Sequence, residues 1–248
     1  MTEELQDRIV FGIIAAFVAA MAIYQGGVVF YALVMFASLF ASLEFDRLRG
    51  DGKTSFFYCA VPLLLAYHPL IACALVALAV VMIMAAQYPA KKYYPWLMIC
   101  LPYITIPAVA LLWLRAEPHG LAVVVWLVLV VVATDVGAYF TGRSFGKNLL
   151  APEISPKKTW EGLAGGAGCA AVASWVVTGH FIFVLVGLVF SVVEQVSDLL
   201  ESAIKRHFEV KDTGNILPGH GGIMDRTDGF VLTAPLAALS YSIGVLTW

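Results

Sequence analysis

HGLAVVVWLVLVVVATDVGAYF, residues 119–140, is the stretch that decides the fold. It is apolar almost throughout, and its only carboxylate, Asp135, sits near its end. Its length falls within the roughly 17–25 residues that cross the hydrocarbon of a bilayer as a helix. Eight further apolar segments accompany it, at about 9–25, 27–43, 55–67, 69–87, 96–114, 161–178, 180–200 and 229–247. His68-Pro69 separates the third from the fourth, because a proline and the residue before it resist helix continuation. A single kinked helix is the competing reading there.

The composition agrees. Of 248 residues, 61% are hydrophobic and 13% charged, against about 25% charged in a soluble domain. The pattern predicts an all-α, polytopic integral membrane protein with about nine transmembrane helices. The N-terminus, MTEELQDR, is polar and acidic, with no small-residue cleavage site after the first apolar run, so the first span is expected to be retained. Cys59, Cys73, Cys100 and Cys169 all lie inside apolar runs without a CxxC pair, and read as small buried hydrophobes.

The loops between spans alternate in character. Gln25-Gly26-Gly27, His68-Pro69, 115–120 and Gly179-His180 are short and nearly uncharged. The others carry Arg47, Arg49 and Lys53; Lys91 and Lys92; Arg143, Lys147, Lys157 and Lys158; and Lys205, Arg206, Lys211 and Arg226. With Arg8, that puts 14 of the 15 Lys and Arg residues on one side, leaving only Arg115 on the other. Basic loops stay cytoplasmic. The expected N-terminus is therefore cytoplasmic and the C-terminus on the opposite side, which needs an odd number of spans. Two regions differ in chemistry. Residues 1–130 form an apolar transmembrane region of about five to six helices. Residues 131–248 form a region with two polar loops on the cytoplasmic side.

Carboxylates inside apolar spans cost about 2.5–3.5 kcal/mol at the helix centre and so ask for a function. Asp135 and Glu194 are two of them; for Asp135 a water-exposed position near the interface is equally open. At the end of the eighth segment, Asp198, Glu201, Ser202 and Lys205 share a helix face by their offsets of 3, 4 and 7. Such a face can hold a divalent cation and a phosphate together. The stretch 211–222, with four glycines and a proline, cannot be regular structure and allows backbone N–H groups near phosphate oxygens. His220 within it either contacts phosphate or packs. Asp225 and Asp228 follow. Carboxylates with few nitrogen or sulfur ligands suit a hard cation such as Mg²⁺ or Mn²⁺. In the earlier loop, Ser155, Lys157, Lys158 and Thr159 can neutralise and hydrogen-bond an oligophosphate; ordinary cytoplasmic charge or contact with anionic lipid is the alternative. No GxxxxGK[ST] loop occurs.

The run S-x2-K-R-x4-K-D-x-G-x3-P-G-H-G-G-x2-D-R-x-D, from Ser202 to Asp228, resembles the signature of phosphatidate cytidylyltransferases. So do D-L-x-E-S at Asp198–Ser202, D-x-G-A-Y-x2-G-R-x2-G-K from Asp135, and I-S-P-K-K-T-x-E-G from Ile154. Together they cover about residues 135–229. Ser197 and Gly229 depart from the residues common in that family, Gly and Ser. The resemblance implies transfer of CMP from CTP to phosphatidic acid, giving CDP-diacylglycerol and pyrophosphate. It implies Mg²⁺ on Asp198 and Asp225, with Asp228 supporting a second cation, K⁺ in the family picture. Ser202 and Lys205 join these as catalytic residues. Substrate binding would fall to Asp135, Arg143, Ser155, Lys157, Lys158, Thr159, Arg206, Lys211, His220, Gly221, Gly222 and Arg226. The expected setting is a bacterial inner membrane, with the site facing the cytoplasm, membrane lipids around it, no nucleic-acid partner and a homodimeric assembly. A CTP-dependent polyprenol kinase is the near rival. An ion-coupled transporter using Asp135, Glu194 and Asp198 leaves the lysine- and glycine-rich loops unexplained. The D-G-x2-A-R pattern of CDP-alcohol phosphatidyltransferases is absent.

Overall fold

A computed structural model describes residues 3–49, 94–214 and 221–248. In chain order these hold α1 (Glu3–Gln25), α2 (Gly27–Arg49), α3 (Tyr94–Ala116), α4 (Gly120–Phe145), β1 (Leu149–Ala151), β2 (Ser155–Thr159), α5 (Trp160–Thr178), α6 (Phe183–His207), α7 (Met224–Thr227) and α8 (Phe230–Ser242). The expected spans at 55–67 and 69–87, the basic residues Lys53, Lys91 and Lys92, and His220 lie outside the described residues.

Among the described residues, four helices are long and apolar enough to cross a membrane: Gly27–Leu48, Ile99–Ala116, Gly120–Phe145 and Phe183–His207. The surface is inverted relative to a soluble protein. Ile13, Phe17, Val28, Val176 and Phe181 are exposed, while Glu44, Thr134, Ser191, Glu194, Ser197, Glu201 and Thr233 are buried. Apolar groups outside and polar groups within are what a hydrocarbon solvent selects. This is a mostly helical membrane protein.

The chain divides into two compact units. The first combines α1–α3 with residues 211–227. Gly26 (φ +66°) and Gly27 (φ +51°) make the α1–α2 turn in backbone conformations that other residues avoid. Arg115 Nε and its guanidinium donate to the Ile23 and Tyr24 carbonyls, at 2.7 and 2.9 Å. These are end-of-helix carbonyls with no partner of their own. α2 continues past the expected end of its span at residue 43, because no glycine or proline stops it before Arg49.

The second unit holds residues 122–210 and 228–248. Its core centres on Trp126, which is fully buried. The indole Nε1 donates to Ser174 Oγ at 2.9 Å, and the ring packs edge-on against Phe183, Phe190 and Trp248. In α5, Gly162, Gly166, Ala170 and Ser174 recur every four residues and are all buried. Such small-residue stripes let helix backbones approach closely in membranes. A Cβ on Gly166 would fall 2.8 Å from the Thr134 carbonyl of α4, and one on Gly187 of α6 would fall 2.7 Å from the Ala170 carbonyl.

β1 and β2 form an antiparallel hairpin, pairing Leu149 with Thr159 and Ala151 with Ser155. This strand pair departs from an all-helical expectation, and it occupies the basic loop around Lys157 and Lys158. Thr159 then caps α5, its Oγ1 accepting from Gly162 N at 3.1 Å.

Gly187→Leu should lower the stability of the detergent-solubilised protein by about 1–3 kcal/mol, the usual cost of overpacking. Gly168→Ala, where a Cβ meets nothing within 4 Å, should leave it equal or higher. Thermal unfolding of the two variants checks the contrast.

Candidate active site

The basic C-terminal end of α6 carries the polar face anticipated from the sequence. Asp198, Glu201, Ser202 and Lys205 lie within two turns of helix. Lys205 Nζ donates to Glu201 Oε2 at 2.7 Å, and Glu201 is fully buried. Ser202 Oγ faces Asp198 Oδ1 at 3.4 Å. Glu194, one turn deeper, is 1% exposed.

Asp228 joins this face from the start of α8. Ser197 Oγ donates to the Asp228 carbonyl at 2.5 Å and accepts from Leu232 N at 3.2 Å. One hydroxyl thus fixes the backbone of Asp228 against α6. Oxygens of Asp198, Glu201 and Asp228 all lie within 4.8 Å of one another. Burial, and after it the negative charge of Asp198, pushes the Asp228 carboxyl up to about 7.

The hairpin supplies a cation to the same place. Lys158 Nζ pairs with Asp198 Oδ2, while Lys157, its neighbour in β2, is exposed. Arg206 donates to the Ile154 carbonyl at the hairpin turn (3.1 Å) and to the Val210 carbonyl (3.2 Å). Glu161 accepts from the backbone N–H groups of Lys147 and Asn148 at 3.2 and 3.3 Å, tying the segment after α4 to the start of α5. Strand β2 is therefore held at both ends.

In the first unit, Asp225 Oδ2 accepts from Thr213 N (3.0 Å), Thr213 Oγ1 (3.1 Å) and Gly222 N (2.9 Å). Gly221 takes φ +82°, and a Cβ there would press on this carboxylate at 3.1 Å. Glu44, from α2, accepts from Ile223 N and Met224 N, each at 2.9 Å, and from Thr213 Oγ1 at 3.2 Å. Nothing in the sequence reading pointed to Glu44. The available signal was the lack of a helix breaker between the second apolar segment and Arg49.

Of the expected site residues, the second unit brings together Asp198, Ser202, Lys205, Asp228 and Lys158. Glu201, on the helix face whose spacing suits a cation, groups with Asp198 and Asp228. Asp225, Gly221 and Gly222 belong to the first unit, where Asp225 orders the loop. Thr159 serves as a helix cap and Arg206 as a tether to the hairpin. Arg143 is exposed and donates to Tyr139 Oη at 2.9 Å. Asp135, on α4, hydrogen-bonds Glu194 one turn below the acidic cluster; Lys211 and Arg226 are exposed in the first unit, and Ser155 is half-buried in β2.

The donor set of Asp198, Glu201 and Asp228 suits a hard divalent cation, since it offers carboxylate oxygens and neither nitrogen nor sulfur. With their oxygens this close together, the three carboxylates fit such an ion.

The profile of the cytidylyltransferase family matches residues 6–243. The chain belongs to the cytidylyltransferase family. It is 34% identical over 258 aligned residues to the phosphatidate cytidylyltransferase of Brucella suis biovar 1 (strain 1330), covering 98% of this chain and 94% of that one. The Bacillus subtilis (strain 168) protein of the same name is 47% identical over 126 residues, 48% of this chain and 47% of that one. That of Staphylococcus saprophyticus (strain ATCC 15305) is 41% identical over 145 residues, covering 55% and 56%.

Purified protein should bind Mn²⁺, read by its electron paramagnetic resonance signal. Glu201→Gln and Asp228→Asn should each weaken binding by more than about tenfold, since losing even an outer-shell partner of a metal site costs about 10–100-fold. Unchanged affinity in either variant removes that carboxylate from the cation site.

Proposed function

We propose that this chain transfers CMP from CTP to phosphatidic acid, forming CDP-diacylglycerol and pyrophosphate. The observation that carries this reading is similarity to phosphatidate cytidylyltransferases over nearly the whole chain, joined to an acidic cluster flanked by two lysines.

The chemistry suits these residues. An oxygen of the lipid phosphate bonds to the α-phosphorus of CTP, and the bond from that phosphorus to the bridging oxygen of the β-phosphate breaks. The nucleophile is already ionised, so no side chain needs to remove a proton. The demand is to bring two anions together, which positioning and charge neutralisation meet. A divalent cation held by Asp198, Glu201 and Asp228 would supply part of that neutralisation. Lys158 and Lys205, now paired with Asp198 and Glu201, border the phosphates. Ser202 adds a hydroxyl next to Asp198. In this reading Asp225 takes part in the reaction, as its place in the family signature implies. The basic loops support a cytoplasmic orientation of the site in a bacterial inner membrane, where a soluble nucleotide and a membrane lipid can both arrive.

Purified protein should release pyrophosphate from CTP only when phosphatidic acid and Mg²⁺ are both present. Release without phosphatidic acid, or appearance of CDP from transfer of the γ-phosphate, overturns the reading; the latter product would identify a CTP-dependent lipid kinase.

A further inference from the structure

Glu44 is fully buried near the end of the apolar helix α2, and yet both of its carboxylate oxygens are engaged by a segment about 170–180 residues further on. Oε1 accepts from Ile223 N; Oε2 accepts from Met224 N and from Thr213 Oγ1. The two partners flank the glycine-rich loop, Thr213 before it and Ile223-Met224 after it. A buried carboxylate persists only with such a set of donors.

The same carboxylate accounts for two glycines of the loop motif. A Cβ on Gly214 would lie 2.7 Å from Glu44 Oε1, and one on Gly222 would lie 2.6 Å from Oε2. At Gly214 the space a side chain would need is taken by Glu44, and at Gly222 by Thr213 Oγ1 and Glu44 together. Thr213 Oγ1 also lies 3.1 Å from Asp225 Oδ2, so a continuous polar chain runs from Glu44 through Thr213 to Asp225 and on to Gly222 N.

We propose that Glu44 is a positioning residue for cytidylyl transfer: its carboxylate clasps Thr213 to Ile223 and Met224 and, through Thr213, orients Asp225. The inference rests on the function proposed above. Glutamine cannot replace the carboxylate. It has one acceptor oxygen, and its NH₂ group would face Ile223 N–H or Met224 N–H, donor against donor.

The experiment measures CDP-diacylglycerol formation from CTP and phosphatidic acid by the full chain in detergent, normalised to the folded fraction from gel filtration. Glu44→Gln should lower kcat/KM on the order of 100-fold, the scale of a site misplaced by about 1 Å. Thr213→Val should fall in the same way, and Thr213→Ser, which keeps the hydroxyl, should recover most of the loss. A folded Glu44→Gln protein with a loss under about tenfold overturns the clasp. Equal activity of Thr213→Val and Thr213→Ser also overturns it, and that pair decides if Glu44→Gln does not fold. A wild-type chain that makes no CDP-diacylglycerol instead overturns the assigned reaction.

Discussion

A carboxylate inside an apolar helix bundle needs a cation or several N–H and O–H donors, and in both units that need determines which distant segments meet. Asp198 draws Lys158 from the hairpin. Glu201 takes Lys205 from one turn further along its own helix. Glu44 gathers two backbone amides and a hydroxyl from a loop that follows the last long helix. Each pairing offsets a burial cost of several kcal/mol, and those of Asp198 and Glu44 bring together parts of the chain that hydrophobic packing alone would not select. In a membrane, packing of apolar faces discriminates poorly, because lipid is as apolar as the faces themselves. Polar contacts then carry much of the specificity.

The small-residue stripe of α5 makes the second unit's pairings possible. Gly162, Gly166 and Ala170 let α5 lie against α4 and α6 with backbone nearly touching backbone. Gln195 of α6 bridges to the Leu163 carbonyl across this contact. With α6 held so closely, the hairpin that precedes α5 comes within reach of Asp198. Arg206 and Glu161 then fix the hairpin's turn and the segment before it. The position of Lys158 thus follows from glycines that carry no chemistry themselves.

How far the sequence discloses this depends on the range of each contact. The expected segments at 9–25, 27–43, 96–114, 119–140, 161–178, 180–200 and 229–247 each contain or overlap a described helix, because hydropathy is a local property. The acidic face of α6 follows from helical periodicity alone. The bonding of Asp225 was less legible: its Oδ2 accepts from the backbone N–H groups of Thr213 and Gly222, a fold of the backbone that motif spacing does not display. Glu44 was invisible for a different reason. Its partners lie about 170–180 residues away, and a charged residue at the end of an apolar segment looks like an ordinary loop charge. Thr159 read as a phosphate contact; its Oγ1 also accepts from Gly162 N at the first turn of α5, a second use that motif spacing does not display.

The Ser197 hydroxyl also bears on the entropy of binding at this site. It secures the Asp228 carbonyl and the start of α8, so Asp228 keeps only its own side-chain torsions. Asp198 and Glu201 project from one rigid helix. Immobilising a rotamer-rich side chain on binding costs about 0.5–1.5 kcal/mol. Where backbone and neighbours are already fixed, most of that ordering takes place when the chain folds. An ion reaching these three carboxylates would find them arranged in advance, and little of its binding energy would go into organising them.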